Sequence, residues 1–309
     1  MSDVNQWAKR QSEYEFEQVR RQQMVASLVA TLRRTPQDLI SLEEVRARIN
    51  VRGSRYLGHQ VVEVARIVGS EGRYSDFDRN FLPRSDTMRG RWANIHRASV
   101  EQIDLPPIDL YKIDEVYFVR DGNHRVSVAR RNGAGYIDGF VTELLVDVPL
   151  DARLDERALL LKEEYSDFLI WTDLKLLRPQ QRIEFSELGG YLDLVKHINA
   201  HRYYMGNEQG RDISGAEAVA DWYDRVYTPV VAAIRQHGAL ATFPGRTEGD
   251  LYRWIMDYRW YARERTGHEL EPAAAAAEYA RLFGRHSLFG ALDHALREIL
   301  AVGRGQKAP

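Results

Sequence analysis

The spacing of apolar positions changes repeatedly along this chain, and each change marks an element. Over residues 3–34, Phe16, Val19, Met24, Leu28, Ala30 and Leu32 recur at loosely helical intervals among charged and amide residues, which predicts one long helix. Ser41 followed by Glu44 has capping-box spacing and predicts a second helix through Val45 and Ile49. A glycine-punctuated segment, 53–58, then separates these helices from Val61, Val62, Val64 and Ile67, a β-branched cluster that predicts the first strand. Runs at 108–112 and 116–120, parted by Ile113, Asp114 and Glu115, have the spacing of a hairpin. A helix is predicted over 122–132, with Val126 and Ala129 on one side and Gly133 as its stop. Residues 136–146 alternate aromatic and β-branched positions, as a closing strand does. Beyond about residue 150 the pattern is almost wholly helical, with starts at Ser214 before Glu217 and at Thr247 three residues before Asp250. Ala273 to Ala277 extend a helix former after Pro272, and residues 303–309 read as a frayed end.

The expected fold class is therefore α+β: an N-terminal helical extension (1–52), a small mixed domain (53–148) and a mainly helical C-terminal domain (149–309). A chain of 309 residues exceeds the usual single domain, so more than one is the natural expectation. With 44% hydrophobic and 28% charged residues, the composition is that of an ordinary folded protein. The lack of cysteine excludes disulfides, a thiolate nucleophile and Cys-ligated metal sites; it fits a reducing compartment, and the cytoplasm is the expected location. The first residues carry no apolar core like that of a signal peptide, and no apolar run reaches the roughly 20 residues of a spanning helix, so no membrane contact is expected. At a net charge of −2, nucleic-acid binding would need a local basic patch. Arg79, Arg84, Arg89, Arg91 and Arg97, against the lone acid Asp86, outline one; the plainer reading is a solvated helix face.

The turn from a strand ending at Arg120 through Asp121 and Gly122 into a helix opening with Asn123, His124 and Arg125 carries the most chemistry. Free N–H groups at a helix N-terminus bear partial positive charge, and a glycine there lets a phosphate approach the backbone. His124 and Arg125 add side-chain donors, Arg125 as a charged fork. Asp121 is either a cap on the helix or a carboxylate facing Mg²⁺ or a hydroxyl.

Leu105, Pro106, Pro107, Ile108 and Asp109, then Tyr117, Phe118 and Asp121 to Arg125, resemble in order the proline-led strand and Gly-Cys-His-Arg loop of sulfiredoxin. The same stretch looks like the Gly-Glu-Arg-Arg box of ParB-type partition proteins and the Asp-Gly-His-Thr-Arg loop of free-serine kinases on that fold. This resemblance to the ParB/sulfiredoxin superfamily covers about a third of the chain. It implies a nucleotide ligand whose phosphates lie on Gly122, Asn123, His124 and Arg125. Asn123 stands where sulfiredoxin has its catalytic cysteine, so sulfinic-acid reduction is excluded. The Glu-Arg pair of the ParB CTPase is replaced by Asn123 and His124, and no helix-turn-helix signal follows, which favours ATP or ADP over CTP, with Mg²⁺. In the kinases a glutamate follows the first strand. Glu71, in the loop from Gly69 to Tyr74, is comparable here, with Asp76 and Asp78 as alternatives; Glu71 and Asp121 are the candidate catalytic carboxylates.

The expected function is thus nucleotide binding, extending to phosphoryl transfer or slow nucleoside triphosphatase activity, which needs positioning and charge neutralisation above all. The alternative is a DNA-binding transcriptional or partition-type regulator that uses Arg89, Arg91 and Arg97, with its state set by the nucleotide; a homodimer suits either reading. His197 and His201 sit at i, i+4 spacing, but without a zincin glutamate they are read as ordinary histidines, and no metal-ligating residues are assigned. Tyr203, Tyr204, Trp222, Tyr223, Tyr227, Trp254, Tyr258, Trp260 and Tyr261 are read as the interior of the helical domain rather than a base-stacking platform.

Overall fold

Local signals place most elements where the sequence predicts them. The structure is a computed structural model that describes residues 2–33, 38–150, 155–267 and 270–283; the predicted frayed end lies outside these. Helix α1 (Ser2–Arg33) is followed by β1 (Ile40–Ser41) and α2 (Leu42–Arg48), which Ser41 caps by accepting the Glu44 N–H. Next come β2 (Val51–Glu63), β3 (Ile67–Ser70), α3 (Arg89–Val100), β4 (Ile108–Ile113), β5 (Val116–Asp121), α4 (Asn123–Arg131) and β6 (Tyr136–Val146). The remaining elements are helices: α5 (Glu156–Thr172), α6 (Leu174–Leu177), α7 (Gly190–Gln209), α8 (Gly215–Trp222), α9 (Thr228–Gln236), α10 (Glu248–Thr266) and α11 (Pro272–Phe283).

The strands form one mixed sheet in the order β1-β3-β5-β4-β6-β2. The β4–β5 hairpin turns at Asp114, which takes φ +51°, a left-handed conformation that aspartate tolerates better than most residues. β3 lies parallel to β5, and β6 returns parallel to β4 while pairing antiparallel with β2.

The first strand differs from expectation. The 53–58 segment is no separator: it lies inside β2, where register shifts between Val51 and Gly53 and between Tyr56 and Gly58 absorb the glycines as bulges. The β-branched cluster is split, because a 3₁₀ turn at Val64–Arg66 ends β2 and sends Ile67 into β3.

Adjacent residues of β5 point to opposite faces, so Phe118 and Val119 enter different cores. One core gathers Ile67, Phe77, Phe81, Ile108, Val119 and Val126 of α4; the other gathers Leu42, Val45, Phe118, Leu144 and Leu159. Gly69 is forced by the second of these cores: a Cβ there would sit 2.3 Å from the Ile40 carbonyl oxygen and 2.5 Å from the Phe118 ring. The N-terminal helices are integral rather than an extension, since Phe16 of α1 packs edge-on against Trp92 of α3, with ring centroids 5.7 Å apart. The chain divides into two compact units at Glu163/Glu164, beyond the expected 148/149 boundary, because Leu150 and Leu159 still belong to the sheet's core.

In the second unit, Ser214 and Thr247 cap α8 and α10 as predicted, Thr247 in a full capping box with Asp250. Its core holds Trp222, Tyr227 and Tyr252, with the Trp222 indole donating to the Tyr252 hydroxyl at 2.9 Å. Tyr203, Tyr204, Trp260 and Tyr261 depart from the predicted interior: they are exposed, because each lies on the side of its helix away from that core. His201 faces Asp221 at 2.7 Å, and among the described residues no group of three His, Asp or Glu side chains could hold a metal. No described helix is long and apolar enough to cross a membrane.

Candidate functional site

The predicted turn forms where β5 meets α4. Gly122 adopts φ +113°, and a Cβ on it would lie 2.4 Å from Cγ2 of Ile108, so both backbone and space demand glycine. The first helical bond to close is Val126 N–H to Gly122 O at 3.0 Å, and no side chain caps this end. The N–H groups of Asn123, His124 and Arg125 therefore have no partner within the helix.

Asn123 and His124 are each only 4% exposed, yet among the described residues Asn123 Oδ1 and His124 Nδ1 have no hydrogen-bond partner. The His124 ring meets Phe77 edge-on at 5.2 Å. Burial, helped by the charges of Arg73 and Arg91 and opposed by Asp76, lowers its pKa to about 4. At neutral pH the ring is uncharged, with one nitrogen a donor and the other an acceptor.

Arg125 is held in place. It donates to the Pro106 and Pro107 carbonyls at 2.5 and 2.8 Å and to Asp121 at 2.6 Å. Asp121 does not cap the helix, against one of its two sequence readings; its 60% exposed side chain pairs with Arg125 one turn on. Glu71 extends β3 through its N–H to Val119 O, but its carboxylate faces Arg46 at 3.1 Å. Asp76 pairs with Arg73 at 2.7 Å.

Asp78, only an alternative by sequence, is fully buried. Its Oδ1 accepts the Asn80 and Leu82 N–H groups, its Oδ2 has no partner among the described residues, and burial raises its pKa. An Asp two residues before Asn80 is a common loop-closing signal, and it could have marked the residue.

The arginines of the candidate basic patch scatter. Arg84 pairs with Asp38, while Arg89 pairs with Glu17 and lies over the Phe16 ring at 5.3 Å. α3 runs parallel to α4: Trp92 Nε1 donates to Ser127 Oγ at 2.9 Å, and two turns on Asn132 Nδ2 donates to Ser99 Oγ at 3.1 Å.

No family model and no curated protein matches this sequence. Among solved structures, a Pnob8-like ParB-N domain in its C2221 form is similar at 13% identity over 79% of this chain and 98% of that one. Its TM-score is 0.21, too low for the likeness to carry an argument about fold or site. The chain itself is an α+β protein, with a mixed six-stranded sheet followed by helices.

Proposed function

We propose that the sheet-containing unit binds a nucleotide through the first turn of α4, with the phosphates over Gly122, Asn123 and His124. One observation carries the reading: two buried side-chain polar atoms, Asn123 Oδ1 and His124 Nδ1, lack partners among the described residues, beside a positive-φ glycine and an uncapped helix N-terminus. Leaving such an atom unpaired costs about 1–3 kcal/mol each, a cost relieved when a ligand or water completes the bond. The sulfiredoxin-like order of motifs supports ATP or ADP ahead of CTP. Mg²⁺ would arrive on the phosphates, as it commonly does when the protein offers one or two carboxylates rather than a cage. Asp121 and Glu71 each face an arginine, so the arrangement supports binding better than phosphoryl transfer. The DNA alternative draws less support, since Arg89 is engaged by Glu17 and Phe16.

The test is a thermal-shift screen of the full chain with ATP, ADP, CTP and GTP plus Mg²⁺, on wild type and His124→Ala. A ligand at 100 times its Kd stabilises by about 2.7 kcal/mol. An adenine-nucleotide shift that shrinks in the variant is expected; no shift with any of the four refutes the reading.

A further inference from the structure

We infer that Arg91 is the cationic wall of this phosphate site and selects ligands ending in a doubly charged phosphate, an inference that rests on the nucleotide reading of α4. The geometry comes from the parallel pairing of α3 and α4. Trp92 is bonded to Ser127 and Ser99 to Asn132, so the start of α3 lies beside the start of α4. Arg91 directly precedes Trp92, and His124 lies three residues, about one turn, before Ser127. The α4 end has no side-chain cap and stays positive, whereas α3 continues from a 3₁₀ turn, Asp86–Met88, whose start Ser85 caps.

Among the described residues, the charges around the site leave Arg91 as its free cation. Arg125 is fastened to two carbonyls and Asp121, and Arg73 is matched by Asp76. Asn123 and the uncharged His124 contribute no charge of their own. Arg91 is exposed and has no hydrogen bond or ion pair among the described residues. A guanidinium free of carboxylates, beside helix N–H groups, favours a terminal phosphate, which carries close to two charges at neutral pH, over an internal diester, which carries one. This moves Arg91 from the DNA trio to the nucleotide site.

Calorimetry on the full chain tests the assignment, with ADP as the affinity probe and AMP against its cyclic phosphodiester as the selectivity probe. Arg91→Ala is expected to weaken ADP at least tenfold and to abolish the preference for AMP over the cyclic diester. Arg91→Lys keeps most of both, Arg97→Ala changes neither, and the melting temperature of each ligand-free variant stays that of wild type. If wild type binds ADP and Arg91→Ala matches it within twofold, the inference fails while the nucleotide reading stands. If wild type binds none of the three probes, the nucleotide reading fails and takes the inference with it. Unchanged nucleotide binding together with salt-dependent loss of duplex DNA in Arg91→Ala and Arg97→Ala alike overturns the inference in favour of DNA.

Discussion

His124 makes the stability of the first unit sensitive to mild acid, and the size of the effect follows from its surroundings. Burial comes first, then the Arg73 and Arg91 charges, with only Asp76 opposing, and together they take the ring from 6.5 to about 4. The unfolded chain therefore binds more protons than the folded chain between those values. Stability is full above pH 6.5 and is lost as pH falls towards 4. At about 1.36 kcal/mol per unit the whole window is worth about 3 kcal/mol, and roughly 2.5 kcal/mol is lost between pH 7 and 4.5. His96 and His197 are also depressed by burial, whereas Asp78 is raised and acts in the opposite sense. The measurement is accordingly a difference between variants: urea unfolding of wild type and His124→Gln at both pH values. The variant should lose about 2.5 kcal/mol less than wild type on acidification. Losses agreeing within about 0.5 kcal/mol would show that His124 is not held neutral, and the charge assignment of the site would fall with it.

Three further substitutions probe the framework. Gly122→Ala sets a side chain at φ +113° and 2.4 Å from Ile108, and should cost roughly 2–5 kcal/mol in urea unfolding, with loss of any nucleotide-induced thermal shift. Ser127→Ala strands the buried Trp92 indole N–H and should cost about 1–3 kcal/mol; Ser127→Thr, which keeps the hydroxyl, should recover part of that. Thr247→Ala removes the α10 cap and a bond to Glu184 O, and should speed hydrogen exchange in the first turn of α10 by an amount equivalent to about 1 kcal/mol.

Features written in neighbouring residues were legible in the sequence. The Ser41, Ser214 and Thr247 caps, the Asp114 hairpin, the Gly133 stop and the limits of β6 each depend on a few adjacent side chains. Features created by distant contacts were not. β2 keeps its glycines because β6, far along the chain, supplies a partner that tolerates bulges. α1 looked like an appendage because its anchors, Trp92 and His96, lie in α3; Ser12 Oγ meets His96 Nδ1 at 3.0 Å. Within the site, the glycine turn between β5 and α4 could be read from Gly122 onward. The neighbourhood of Arg91 could not, because it depends on the parallel packing of α3 against α4.

Arg125 shows how a motif residue and a ligand-contacting residue can be told apart. By resemblance it belongs to the phosphates, yet its guanidinium joins the Pro106 and Pro107 carbonyls to the first turn of α4. Those carbonyls immediately precede Ile108, whose side chain packs against the Cα of Gly122 and shapes the turn. If the turn holds a ligand, Arg125 acts on it through the geometry of the turn. Replacing it with alanine frees the proline segment and leaves two carbonyls without their charged donor, so the ligand-free protein should melt earlier as binding falls. Arg91, exposed and unpaired among the described residues, has no such framework to lose. Binding lost together with stability in Arg125→Ala, but without it in Arg91→Ala, separates the residue that builds the turn from the residue that meets the phosphate.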